Sequence, residues 1–319
     1  MTTPATDVPQ TGAPGAPDLS RLRLGTAPDS WGVWYADDPQ QLPWEQFLDE
    51  AAAAGYRWIE LGPYGYLPTE PERLRDELGR RGLSLSGGTV LSGLHRGADA
   101  LRQAIEDCLV EARLLKALGA RHLVSLPEQY LDDDASPNQP AELTPEQWGD
   151  LTSGMSRLAR TLLEEEDVQL VFHPHADSHV GTQPEVERFL TDTDPAFVQL
   201  CLDTGHIAYY EGDNLAIIRA FPERIGYVHL KQVDPAVVRQ VQDEGLSFAQ
   251  AVRRGVMVEP PQGLPAMEPV LAELAGLDVD LFAIVEQDLY PCAPDVPFPI
   301  GGRTRRYFNA CGLGPRPRS

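Results

Sequence analysis

Three of the chain's seven histidines fall within the stretch LVFHPHADSHVG (170–181): His173, His175 and His179. Imidazole ionises near neutral pH and, when neutral, binds borderline divalent metals, so such a cluster suits proton transfer or metal ligation. Further polar residues recur where short apolar runs end. LRLGTA runs into PDSWGVW, with Asp29, Ser30, Trp31 and Trp34. RWIELG carries Glu60, LSLSGG leads through a short loop to His95, and HLVSL ends in PEQ with Glu128. VQLVF ends at His173 and His175, VQLCL at Asp203 with His206, IGYVHL at His229 with Lys231, and LFAIV at Glu286. A charged group closing an apolar run is costly to bury unless it is paired or metal-bound. The last four runs all close this way, which points to one shared site. Asp, His and Glu are oxygen and nitrogen donors that suit Mn²⁺, Co²⁺, Fe²⁺ or Zn²⁺ better than Ca²⁺.

Each residue also has a plainer reading. Asp203 could cap the helix that follows it. His229, between Val228 and Leu230, could be a satisfied core histidine, and Glu286 the partner in a buried ion pair. His179 lies past the end of its run and reads as a loop residue. His122 opens its run and reads as structural. Trp31, Trp34 and Tyr64 could pack on a sugar ring or simply fill the core.

These residues need elements that bring the ends of the runs together. Eight candidate strands, 22–27, 57–62, 83–88, 122–126, 168–173, 198–203, 225–230 and 281–286, alternate with amphipathic stretches such as 44–56, 98–120 and 155–166. Several of the latter end in glycine, the usual residue just past a helix C-terminus. Alternation of this kind implies parallel strands joined by right-handed crossovers, and eight is the number that closes a barrel. The expected fold is therefore α/β, a single-domain (β/α)8 TIM barrel over residues 21–290, with its chemistry at the C-terminal strand ends. An open doubly wound sheet is the alternative, but no strand is followed by a G-x-G-x-x-G turn. Residues 1–20, rich in Pro, Gly, Thr and Ala, read as a disordered leader. Residues 291–319 read as a C-terminal extension with a short helix and a flexible PRPRS tail. Residues 235–265 exceed a normal connection and suggest a lid or an interface.

Composition narrows the partners. A net charge of −22 argues against nucleic acid, which needs clustered Lys and Arg. The four cysteines, Cys108, Cys201, Cys292 and Cys311, form no CxxC pair, which favours a reducing cytoplasm over a disulfide framework. No apolar run is long enough to span a membrane. A small-molecule substrate is the expected partner, and a homo-oligomer is left open.

With these motifs assembled, the chain resembles the xylose-isomerase-like TIM barrels, the sugar phosphate isomerase/epimerase superfamily, over about residues 22–288. The resemblance rests on LDTGH (202–206), YVHLKQVD (227–234), FAIVEQD (282–288) and WIELG (58–62). Among its branches the inosose dehydratases look most similar, through the SW pair of the first turn, HPHADSHVGT (173–182) and EQD (286–288). The resemblance implies one divalent metal ion held by Glu, Asp, His and Glu from the last four strands. Asp203, His229 and Glu286 match the last three positions. His173 stands where the first Glu is expected, with His175 as the alternative ligand. An imidazole there removes one negative charge and shifts the preference toward softer borderline metals. Mn²⁺ or Co²⁺ is the first expectation for the ion, with Zn²⁺, Fe²⁺ or Mg²⁺ behind.

The resemblance further implies a keto-polyol substrate and a lyase that dehydrates a keto-cyclitol (inosose) or related keto-sugar through a metal-stabilised enediolate. The alternatives are a sugar isomerase or epimerase, and a lyase that β-eliminates from a 3-keto-glycoside. His206, Lys231, His175 and Glu60 are the candidate acid and base groups. Trp31, Trp34, His95 and Glu128 are the candidate substrate contacts.

Overall fold

A computed structural model of the chain describes residues 17–314; residues 1–16 of the expected leader and the PRPRS tail lie outside the described residues. The barrel strands are β1 (Leu22–Thr26), β2 (Trp58–Pro63), β3 (Ser84–Ser92), β4 (His122–Pro127), β5 (Gln169–Phe172), β6 (Gln199–Asp203) and β7 (Ile225–Leu230), closed by β10 (Leu281–Val285). A small antiparallel ribbon, β8 (Gln232–Val233) with β9 (Met257–Val258), lies between β7 and β10. The barrel order is β1-β10-β7-β6-β5-β4-β3-β2, and every neighbouring pair is parallel. The chain is thus a single-domain (β/α)8 TIM barrel. β3 runs four residues past the expected end at Gly88 because it continues pairing with β4 through Ser92 and Pro127.

Strand alternation sorts the side chains into two layers. On β5, Leu170 and Phe172 face the helices while Val171 faces the barrel axis. The same split sets Leu200 and Leu202 against Cys201, Val228 and Leu230 against Tyr227, and Ala283 and Val285 against Ile284. Val171, Cys201, Tyr227 and Ile284, with Ala27 and Val124, fill the interior. Two residues further along each strand, on the same inward face, come His173, Asp203, His229 and Glu286. The period of the strand alone brings these four to one level above the plugged interior.

Residues 235–265 form neither an extended loop nor a separate body. Helices Pro235–Glu244 and Phe248–Arg253 stand on the ribbon and pack over the barrel mouth. The C-terminal helix Pro297–Ala310 covers the flank near Trp31, where Gly301 leaves room for the indole. Among the described residues no helix is long and apolar enough to cross a membrane.

The helix Ala98–Ala117 buries Glu111 behind β3, where its Oε1 accepts a hydrogen bond from Thr89 N at 3.0 Å. Burial, with Glu60 nearby, pushes the Glu111 carboxyl up to about 8. Its folded pKa exceeds its ordinary value of 4.5, so its contribution to stability is full below about pH 4.5 and is lost as pH rises through 8. Glu111→Gln keeps an acceptor for Thr89 N and removes the titration. The Tm advantage of Glu111→Gln over wild type should therefore grow by several degrees between pH 5 and pH 8.5. Thermal scans across that range check it, and a constant difference would count against it.

Candidate active site

His173, Asp203, His229 and Glu286 are all buried, and each offers one donor atom within 4.8 Å of the others. An ion about 2.0–2.2 Å from each donor needs separations of about 4 Å or less, so only a small contraction is required. His173 Nε2 lies 3.1 Å from Asp203 Oδ2. His229 Nε2 bonds Glu60 Oε1 at 2.8 Å, which turns Nδ1 toward Glu286 Oε2 at 2.7 Å and Asp203 Oδ2 at 3.6 Å. Nδ1 of His229 and Nδ1 of His173 are enclosed with no aligned hydrogen-bond partner. An unpaired buried polar atom costs about 1–3 kcal/mol, so such atoms mark places where a ligand completes the set. Metal-binding histidines commonly donate from their other nitrogen to a carboxylate, and Glu60 Oε1 is placed to accept from His229 Nε2 in this way. The donor set fits one divalent cation.

Asp203 carries both readings of its motif at once. Its Oδ1 accepts from His206 N at 2.7 Å and caps the helix Thr204–Tyr209, while Oδ2 faces the cluster. The rest of LDTGH places Lys231. Thr204 Oγ1 donates to Lys231 O at 2.8 Å and accepts from Lys231 N at 2.9 Å. Gly205 has no Cβ because one there would lie 2.4 Å from Lys231 Cβ. The Lys231 ammonium is thereby held 2.9 Å from Glu286, 3.0 Å from Asp288, 3.4 Å from Asp203 and 3.6 Å from Asp29.

The cluster's protonation follows from burial and these charges. Burial would lower Lys231, but Asp288, Glu286, Asp203 and Asp29 together hold it well above its ordinary range. Burial would raise Asp203, but Lys231 and His206, with His173 bonded to its Oδ2 and the His229 ring beside it, pull it well below. Glu286 falls to about 2, against burial, through His229 and Lys231. Burial pushes Asp29 and Asp288 up, with Glu286 adding repulsion. His229 is raised well above its ordinary value, against burial, by Cys201, Glu286 and Glu60. A proton on His229 therefore competes with a cation for the same nitrogen.

The cluster forms one end of a cavity of about 260 Å³. Glu60, His175, Lys231 and Trp34 line it, with Asp29 and Asp288. Asp288, two residues beyond Glu286, is the site residue the reading of the sequence left out, although its spacing is the inward-facing period of the strand. Asp29 was in view without a role.

Four expected contacts are corrected. Trp31 is 1% exposed and turns into the core, edge-on to Phe47 and Tyr56, with Nε1 on Glu50. His206 is fully enclosed behind His175, with Nδ1 accepting from Ala176 N, so it does not reach the cavity. His95 bonds Gln139, and Glu128 pairs with Arg96, both to one side of the cavity and not lining it. His179 bonds Pro140 O, as a loop residue would. Within the C-terminal helix, Arg303 pairs with Glu259 and Arg305 bonds Gly55 O, so neither enters the site.

With fold and site in place, the chain belongs to the xylose isomerase-like TIM barrel family, whose model matches residues 48–295. It is similar to the inosose dehydratase of Geobacillus thermodenitrificans, 29% identical over 304 residues that cover 92% of this chain and 99% of that one. Inosose dehydratase 1 of Bacillus cereus is 29% identical over 296 residues, covering 90% and 96%. Among solved structures, the probable 3-DHS dehydratase of petrobactin synthesis from Bacillus anthracis superposes with a TM-score of 0.69 at 16% identity, covering 90% of this chain and 98% of that one. The IolI protein with a bound zinc atom does so with 0.67 at 15% identity, covering 90% and 96%. At these identities the two structures share the fold.

The two jobs of Asp203 are separable. Asp203→Asn retains an Oδ1 that can accept from His206 N, whereas Asp203→Ala removes the cap. The alanine variant should be about 1 kcal/mol less stable than the asparagine variant, read by chemical denaturation. Equal stabilities would mean the cap contributes nothing.

Proposed function

We propose that the protein is a metal-dependent carbon–oxygen lyase that dehydrates a keto-cyclitol such as inosose, or a related keto-sugar. The observation that carries this reading is the buried set His173, Asp203, His229 and Glu286, with Glu60 orienting His229 from behind. The inosose dehydratases similar over nearly the whole chain support the substrate class. A divalent ion there, Mn²⁺ or Co²⁺ first in order, supplies Lewis acidity that polarises a substrate carbonyl and acidifies the neighbouring C–H.

The chain's own groups supply the proton handling. Dehydration removes a proton beside the carbonyl and delivers one to a hydroxyl leaving the next carbon, so it needs two groups at different places. His175 follows β5, and Asp29 follows β1, the strand diametrically across the barrel. His175 Nδ1 lies 2.8 Å from Ala176 O, and donating its proton there leaves Nε2 as the free nitrogen. Burial, with His173 close by, pushes His175 down to about 3, so its ring stays neutral and able to accept a proton at working pH. On the other side Lys231 places a fixed positive charge beside Asp29 and Asp288, where negative charge on a substrate oxygen is stabilised. Glu60 holds the tautomer of His229, acting through that ring.

Two measurements test the reading. Protein purified with Mn²⁺ or Co²⁺ should hold about one ion per chain by elemental analysis, and an Asp203→Ala/Glu286→Ala double variant should hold far less. Equal metal in both would reject the site. Incubation of the loaded enzyme with inosose should give a product lighter by one water and absorbing in the ultraviolet. A product of unchanged mass would make it an isomerase or epimerase instead.

A further inference from the structure

Behind His229 the hydrogen bonds continue for two more steps. Its Nε2 lies 2.8 Å from Glu60 Oε1, and the other oxygen of that carboxylate, Oε2, accepts from Thr89 Oγ1 at 3.1 Å. Thr89 N in turn donates to Glu111 Oε1 at 3.0 Å. Glu60 is 1% exposed and Glu111 2%, so bulk water does not replace a donor lost at either carboxyl.

The chain around Thr89 is shaped for this path. The β2–β3 ladder slips beside it: Glu60 stands opposite Gly87 and Pro63 opposite Thr89, so a step of three residues on β2 matches a step of two on β3. An irregularity of this kind re-aims the side chains next to it. Alternation along β3 turns Thr89 into the cavity and Gly88 outward, toward the helix Ala98–Ala117. A Cβ on Gly88 would collide with Glu111 Oε1, so this glycine is what lets the carboxyl reach the strand. An acidic side chain on the buried face of a helix is costly, and here its hydrogen bond runs to Thr89 N.

The path ends on the nitrogen that matters. Nδ1 of His229 faces Asp203 and Glu286, and it is open to a cation only while the ring carries its proton on Nε2. Glu60 secures that tautomer by accepting at Oε1. A carboxylate held through one oxygen alone turns easily about its last bond, because that torsion is broad. A second donor on Oε2 fixes the carboxylate plane and keeps Oε1 aimed at the ring.

Resting on the metal site proposed above, we infer that Thr89, anchored from behind by Glu111, is a positioning residue of that site. By holding Glu60 it sets the tautomer and direction of His229, and through that ring it sets the affinity for the cation. Thr89 acts only through the carboxylate, so its effect on metal binding exists only while Glu60 is present.

The test titrates the metal-free full chain with Co²⁺, by calorimetry and by visible absorption, whose bands report the geometry around the ion. Thr89→Val removes the hydroxyl at nearly constant volume and should raise the Kd about fivefold and shift the bands, while Thr89→Ser should bind as the wild type does. Glu60→Ala should raise the Kd about tenfold or more, and adding Thr89→Val to it should change nothing further. Glu111→Leu leaves Thr89 N unpaired and should weaken binding, whereas Glu111→Gln keeps the acceptor and should not. The same loss from Thr89→Val with and without Glu60 would mark a merely structural role and overturns the inference. So does a Kd unmoved by Thr89→Val or raised equally by Thr89→Ser, and a Kd unmoved by Glu111→Leu overturns the outer link. Thr89→Ala takes the place of the valine variant should that fail to fold. Co²⁺ binding by the wild type leaves the metal site standing under all these results; a wild type that binds no Co²⁺ rejects the site and the inference with it.

Discussion

The mouth of this barrel concentrates more negative charge than its ammonium can balance. Glu60, Asp203, Glu286 and Asp288 are all buried, Asp29 is partly so, and Lys231 is the one lysine or arginine among them. Burying a carboxylate is expensive unless its charge is met, and a single ammonium meets only part of this set. The remaining imbalance is relieved by protons, seen in the raised carboxyls of Asp29 and Asp288 and the raised imidazole of His229. Held by His229, Asp203 and Glu286, a divalent cation would relieve it further and would take the place of the proton on His229. Much of the local architecture follows from keeping Lys231 fixed while leaving that place open. Thr204 clamps its backbone, Gly205 makes room for its Cβ, and Asp203 turns one oxygen away to cap the helix.

The precision comes from the strands. Each of the four donors stands two residues beyond a side chain that plugs the barrel interior, so the packing of Val171, Cys201, Tyr227 and Ile284 sets their height. A further step of two gives His175, Lys231 and Asp288, which line the cavity above the first level. The support continues outward on the other side. Glu111 accepts from Thr89 N, Thr89 Oγ1 donates to Glu60 Oε2 at 3.1 Å, and Glu60 holds His229. A helix outside the barrel is thus coupled to the orientation of a ring within it through three hydrogen bonds.

The same periodicity explains what the sequence revealed and what it hid. Apolar runs ending in charge were legible because burial of a bare charge is improbable, so the eight strands could be read directly and the polar residues closing the last four picked out, with His173 and His175 left as alternatives. Asp203 and Glu286 each had a modest reading, helix cap and ion-pair partner, and both modest readings are also true. In Asp203 the two oxygens divide the work, Oδ1 capping the helix and Oδ2 facing the cluster, whereas Glu286 Oε2 meets both Lys231 and His229. Asp288 escaped because it lies past the end of β10, where alternation is not guaranteed by strand pairing. Trp31, His95, Glu128 and His206 went astray for a different reason. Position near a strand end fixes the backbone, but the direction of a side chain in a loop depends on partners such as Glu50, Gln139, Arg96 and Ala176 that lie far away in sequence or follow from the turn itself.

The two sides of the cavity are built differently. The reactive groups sit on strand ends whose heights are locked by a close-packed interior, where a shift of a methyl group would be felt by every donor. The apolar lining, Trp34, Leu91 and Phe248, sits on the turn after β1, on β3 and on the inserted helices, and it is attached by backbone and surface contacts such as Phe248 to Asp177 and Ser247 to Asp133. Phe248 nevertheless packs on His175 and His206, and the backbone N of His206 donates to Asp203, so this side of the mouth touches the support of the donors. Trp34 belongs to the same turn as Asp29, so the lining of the mouth and the placement of one carboxylate share a single short segment of chain. That shared segment is where the shape of the mouth and the electrostatics of the site are physically coupled.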